Sequence, residues 1–221
     1  MDETLIFLVR HAPHPAVGER LCGRSPGHGL GALGQARAAR IGAALRAHRP
    51  AAVYASPIQR AVETGRAVAE ACEAPLKLAE PLTEIDFGRW TGCSFAALEG
   101  DPDWAVWNRA RASARPPAGE SMAEVQARTS AWLEFARARH PGEPIVAVSH
   151  ADVIKAILAE ALDWSLDRHD RLQIDPGSVS RLAVATWGRK VLSINEAIDG
   201  ETDAGRDQDA GAGAGRLVPQ P

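Results

Sequence analysis

Four basic side chains stand where the pattern of this chain changes. Arg10 and His11 close the apolar run TLIFLVR, Arg60 follows AAVYASPIQ, and His150 follows PIVAVS. Guanidinium forks match phosphate oxygens in bidentate fashion, and an unprotonated imidazole is a nucleophile near neutral pH. Two arginines and two histidines gathered on one rim would suit phosphoryl transfer through a histidine. Neighbouring cations disfavour protonation of a ring in their midst, so one imidazole should stay neutral and ready to attack. The second histidine would then be the cation that helps neutralise the transferring group.

The elements that must gather them alternate between strand and helix. Residues 4–10, 51–55, 76–79 and 144–149 read as short buried strands, rich in apolar and β-branched residues. Helices are expected over residues 34–48, stopped by Pro50, over 120–139 and over 151–162. A further helix should open at Ser56, with Pro57 in its first turn and Gln59 completing a capping box, which puts Arg60 in that turn. Residues 84–98 look like a loop and a short helix, while 172–174, 179–185 and 190–194 read as closing strands, the last two joined by a hairpin at Trp187-Gly188-Arg189. This alternation implies an α/β fold, a three-layer α/β/α sandwich with a mostly parallel sheet. In such sheets ligands bind beyond the carboxyl ends of the strands, where the four basic residues fall.

Length and composition fit one domain, expected over residues 1–198, with a Gly- and Asp-rich tail at 199–221 that should be disordered. The net charge of -3 argues against nucleic acid or an anionic membrane as partner. Three scattered cysteines, no signal-like N-terminus and no long apolar run point to the cytoplasm.

An ordered series of motifs sharpens these expectations: LVRHA (8–12), SPIQRAVET (56–64), LTEIDFGRWTG (82–92), PPAGES (116–121) and VSHAD (148–152). Through them the chain resembles the histidine phosphatase superfamily, which includes the phosphoglycerate mutases, over about residues 4–195. The resemblance implies that His11 becomes the phosphohistidine and that Arg10, Arg60 and His150 bind and polarise the phosphoryl group. It also implies that Glu84 gives the leaving group its proton and that the phosphate lies against Ala151. Two departures stand out. Ala12 and Ala151 replace the glycines that usually follow each histidine, and Pro13-His14-Pro15 replaces a polar stretch.

Other patterns have plainer explanations. His11 and His14 spell H-x-x-H, but Pro13 prevents a helix from presenting both, so no metal site is expected. Gly29, Gly31 and Gly34 spell a nominal dinucleotide fingerprint with no strand immediately before it, and should only shape a loop and the start of a helix. Ser149 and His150 are adjacent and cannot form a hydrolase pair. Trp104, Arg109, Arg111 and Arg115, with Arg24, are the candidates for a substrate loop, although an aromatic half-core with a solvated basic face would look the same.

The expected function is a metal-independent phosphomonoesterase that needs no cofactor and acts on a small phosphorylated metabolite. Two alternatives stay open: a phosphoglycerate mutase, and a phospho-ligand binder that has lost the chemistry. The stretch between Glu84 and His150 is shorter than in family mutases, which favours access of water and hence hydrolysis. The leaving group and the oligomeric state are left open, a homodimer included.

Overall fold

The structure, a computed structural model, describes residues 3–198. Six strands form one sheet: β1 (Thr4–Arg10), β2 (Val53–Ala55), β3 (Leu76–Leu78), β4 (Pro144–Ser149), β5 (Val179–Ala185) and β6 (Gly188–Glu196), in spatial order β3-β2-β4-β1-β5-β6. The first four of that order run parallel, and β5 and β6 pair antiparallel at one edge. Among the described residues six α-helices accompany them: α1 (Ala32–Leu45), α2 (Gln59–Cys72), α3 (Phe95–Leu98), α4 (Pro102–Arg109), α5 (Met122–Arg139) and α6 (Ala151–Ala161).

Both faces of the sheet are dry, as the unbroken apolar strands require. Ile6 and Leu8 of β1 join Ile145, Leu182, Leu133 of α5 and Ile157 of α6 in the larger core, whereas Phe7 and Val9 join Val146, Val148, Ile41 of α1 and Val68 of α2 on the other face. The period of two along β1 thus sorts side chains between two helical layers. The three-layer sandwich expected from the sequence is the fold found.

This topology sets the site. The chain leaving β1 runs to α1 on one face, and the chain leaving adjacent β4 runs to α6 on the other, so a crevice opens between their carboxyl ends. Arg10 is paired in register with Ser149, and the His11 N–H donates to the Ser149 carbonyl at 2.9 Å. His11 and His150 are therefore delivered side by side. Gly34 lets α1 approach the turn after His11, because a Cβ there would run into the Pro13 carbonyl oxygen.

Two expectations need correction. Residues 172–174 form no strand: Leu172 and Ile174 are buried in the core from a loop, and the Ile174 carbonyl accepts from Arg10 Nη1 at 2.6 Å instead of joining a ladder. A 3-10 segment (Leu166–Arg171) precedes them, and Gly177, at φ +76°, turns the chain into β5. Helix α2 begins at Gln59 with Ile58 as its extended N-cap; Ser56 stands upstream of it, its Oγ accepting from the Ile58 N–H at 3.3 Å and lying 2.8 Å from His150 Nε2. Helix α4, which positions the Trp104–Arg115 cluster, was not foreseen. The expected capping box at the start of α5 does form, between Ser121 and Glu124. The tail expected over 199–221 lies outside the described residues.

Candidate active site

His11 is 3% exposed at the end of β1. Its Nδ1 lies 2.9 Å from the Ala12 carbonyl, which can only accept, so Nδ1 carries the proton and Nε2 the lone pair. Arg60 Nε donates to that Nε2 at 3.1 Å. Burial first, then Arg60 and Arg10, hold the His11 pKa well below the ordinary 6.5, so the ring is neutral at pH 7. The Ala12 N–H in turn donates to Thr64 Oγ1 of α2 at 3.0 Å, which ties the residue after the nucleophile to the helix that carries Arg60.

Arg60 is 2% exposed and spans the crevice. Its Nη2 donates to the Gly23 carbonyl at 2.8 Å and lies 3.2 Å from His150 Nδ1. His150 is fully buried at the N-cap of α6, with Nε2 2.8 Å from Ser56 Oγ, and its ring centroid is 5.2 Å from that of His11. Burial, His11 and Arg60 keep His150 well below its ordinary pKa as well. The second histidine is thus also neutral, not the cation that charge counting suggested; an incoming phosphoryl dianion would supply the opposite charge needed to protonate it. Arg10 Nε and Arg60 Nη1 are buried donors with no hydrogen-bond partner among the described residues. Such donors are costly to leave unmatched, and phosphate oxygens would match them. Ala151 opens α6, where backbone N–H groups and the helix dipole favour an anion.

Glu84 faces the same crevice, its Oε2 3.7 Å from His150 Nδ1 and its Oε1 accepting from the Ile85 N–H at 3.0 Å. Burial raises its pKa to about 7, helped by the nearby charge of Asp152 and opposed by Arg60 and Arg10. A carboxyl that keeps its proton near neutrality is equipped as a general acid. Its loop is braced on several sides. Ser149 Oγ donates to the Leu82 carbonyl at 2.7 Å, Arg24 Nε donates to the Glu84 carbonyl at 2.7 Å, and Glu120 bridges Arg24 (2.9 Å) and Arg128 of α5 (2.7 Å).

The substrate-loop candidates separate. Trp104 packs edge-on against Trp90 at 5.3 Å, as part of an aromatic half-core. Arg109 and Arg115 are exposed, the latter paired to Glu124 at 2.8 Å, and Arg24 braces the acid's loop. Only Arg111 turns inward: 5% exposed, stacked 4.4 Å from the Trp107 ring and 3.4 Å from Asp152. Burial pushes the Asp152 pKa up, but Arg111, Lys155 and His169 outweigh it and the carboxylate stays charged. Asp152 and Ser56 were quoted in motifs without a task at the site. The hydrogen-bonding side chain just beyond a strand was the available signal for Ser56, and an acid in the first turn of a helix at the site was the signal for Asp152.

The family model for the histidine phosphatase superfamily (branch 1) matches residues 6–197. A bifunctional protein of Mycobacterium tuberculosis is 33% identical over 182 residues, 80% of this chain and 49% of that protein, so the chain spans about half the length of that relative. Phosphoserine phosphatase 1 of Hydrogenobacter thermophilus is 28% identical over 145 residues, 65% of this chain and 69% of that protein. The solved structure of Bacillus stearothermophilus YhfR superposes with a TM-score of 0.82 at 28% identity, covering 89% of this chain and 100% of that one. A mycobacterial glucosyl-3-phosphoglycerate phosphatase shares the fold, with a TM-score of 0.80 at 21% identity over 88% of this chain and 100% of that one. With a family match across most of its length, the chain belongs to the histidine phosphatase superfamily.

Proposed function

We propose that the chain is a metal-independent phosphomonoesterase that hydrolyses a small phosphorylated metabolite through a phosphohistidine. The observation that carries this is His11 itself: a buried neutral imidazole, its proton on Nδ1, its Nε2 lone pair meeting Arg60 Nε, and the charge of Arg10 acting on it. In the first half-reaction Nε2 forms a bond to phosphorus as the ester P–O bond breaks, and Glu84 gives its proton to the leaving oxygen. Arg60 Nε must turn from Nε2 to a phosphoryl oxygen, since one lone pair cannot accept a hydrogen bond and attack phosphorus at once. Arg10, Arg60, His150 and the α6 N-terminus at Ala151 hold the peripheral oxygens. In the second half-reaction water attacks phosphorus, the Glu84 carboxylate takes its proton, and the N–P bond returns its electron pair to His11.

Phosphatases among the relatives support this chemistry. Two guanidinium groups supply the positive charge that transferring phosphate demands, so no step requires a metal. Three unpaired cysteines fit a reducing compartment, and no described helix is long and apolar enough to cross a membrane, which supports a cytoplasmic enzyme.

The test is release of inorganic phosphate from p-nitrophenyl phosphate in excess EDTA. His11→Ala should lower kcat/KM by at least about 10⁴-fold without loss of folding, as removal of a nucleophile does elsewhere. A fully active His11→Ala enzyme would sink the mechanism. Phosphoryl exchange between hydroxyls with no phosphate released would make the enzyme a mutase instead.

A further inference from the structure

A second cluster of donors lies beside the phosphate pocket and takes no part in the chemistry above. His14, Cys22 and His28 each present one ligand-competent atom, and the three atoms lie within 4.8 Å of one another. His14 and Cys22 are buried and His28 is half-buried. The His14 ring lies 5.9 Å from that of His28 and 5.5 Å from that of His11. His14 Nδ1 is buried and has no hydrogen-bond partner among the described residues. A buried polar nitrogen in that condition needs a partner, and Cys22 and His28 each bring a ligand-competent atom to within 4.8 Å of one on the same ring.

We propose that His14, Cys22 and His28 bind a divalent cation of the zinc class, with a fourth coordination position left open. Two imidazoles and a thiol suit zinc-like ions and offer none of the oxygens that magnesium or calcium require. Tetrahedral ligand atoms at zinc distances stand about 3.3–3.8 Å apart, so side-chain rotations closing the cluster by about 1 Å would complete it. Coordination converts the Cys22 thiol to a thiolate and releases one proton to solvent. Arg60 and Arg20 face Cys22, and the thiolate charge offsets the repulsion they would exert on a harder cation. The proline that keeps His11 and His14 off a common helix does not touch this grouping, because His14 finds its co-ligands across the following loop. Phosphate release in excess EDTA does not use this ion, so the site stands independently of the proposed hydrolysis.

The experiment is titration of the full-length chain with zinc alone, in competition with a chromophoric chelator, followed by cobalt as a spectroscopic stand-in. One zinc should bind per chain, and His28→Ala should weaken it on the order of 100-fold, at least the cost of disturbing a metal's supporting shell. Cobalt should show a thiolate charge-transfer band that Cys22→Ser removes. His28 is only half-buried, so its variant keeps the test valid if the Cys22 variant fails to fold. Absence of stoichiometric zinc binding, or zinc affinity unchanged in His28→Ala, would overturn the site. Failure of phosphatase activity alone would leave these readouts intact and would count only against the proposed hydrolysis.

Discussion

The floor and the roof of the crevice are built differently. On the floor, His11, Arg60 and His150 are each at most 3% exposed; the two histidines follow strand ends held in register by the sheet, and Arg60 reaches them from the first turn of α2. On the roof, the segment from α4 to α5 contributes one inward charge, Arg111, while Arg109 and Arg115 are exposed. A sheet fixes residues that follow it by one or two positions. A long excursion places a side chain only through its own local packing, here a guanidinium stacked on Trp107 and paired with Asp152. The common chemistry therefore belongs to the floor, and adjustment of that chemistry belongs to the roof.

Glu84 joins the two and gives the largest expected effect short of removing His11. Glu84→Gln should lower kcat about 10²- to 10⁴-fold for a poor leaving group. It should also abolish the alkaline limb of the pH–rate profile, which in the wild type falls as pH rises through the Glu84 pKa of about 7. Stability should fall over the same pH range. The folded pKa lies above the ordinary 4.5, so the stability from protonated Glu84 is full below pH 4.5 and is lost as pH rises toward 7. That loss amounts to about 3 kcal/mol, and Glu84→Gln should not show it in denaturant melts. A variant that keeps the wild-type alkaline limb would take the acid's role from Glu84.

The floor was legible in the sequence because β1, β4 and β5 have the bounds their apolar runs suggest, and Arg10, His11 and His150 sit at the ends of β1 and β4. What escaped depends on contacts between distant segments. Ser56 reads only as a helix cap, yet its hydroxyl, which does accept from the Ile58 N–H, also meets His150, 94 residues on. Residues 172–174 look like a strand until Arg10, 164 residues away from Ile174, takes that carbonyl. The roof was legible only as composition: Trp104, Arg111 and Arg115 read alike in sequence, yet one packs, one turns in and one faces solvent.

If the roof tunes the floor, two substitutions should move the same alkaline limb in opposite directions. Asp152 raises the Glu84 pKa, so Asp152→Asn should shift the limb to lower pH. Arg111 pairs with Asp152 and also feels the charge of Glu84, so Arg111→Met should shift the limb to higher pH. Each breaks a largely buried ion pair and should lower stability by a few kcal/mol, which makes the direction of the limb, and not the rate, the informative readout. Limbs that move together would mean that the pair acts on Glu84 only through packing.

Arg115→Ala sets the lower bound. Arg115 is an arginine like Arg111 and close to it in sequence, but it is exposed and its contacts are the Gly119 carbonyl and Glu124, both at 2.8 Å. Pairs of that kind are screened by water and contribute little. The substitution should leave kcat, KM, the alkaline limb and Tm unchanged within error on a small aromatic phosphate. A rise in KM confined to substrates with a second anionic group would show that the exposed part of the roof reaches the leaving group. The division between a chemical floor and a tuning roof would then have to admit a third, outer layer that reads substrate.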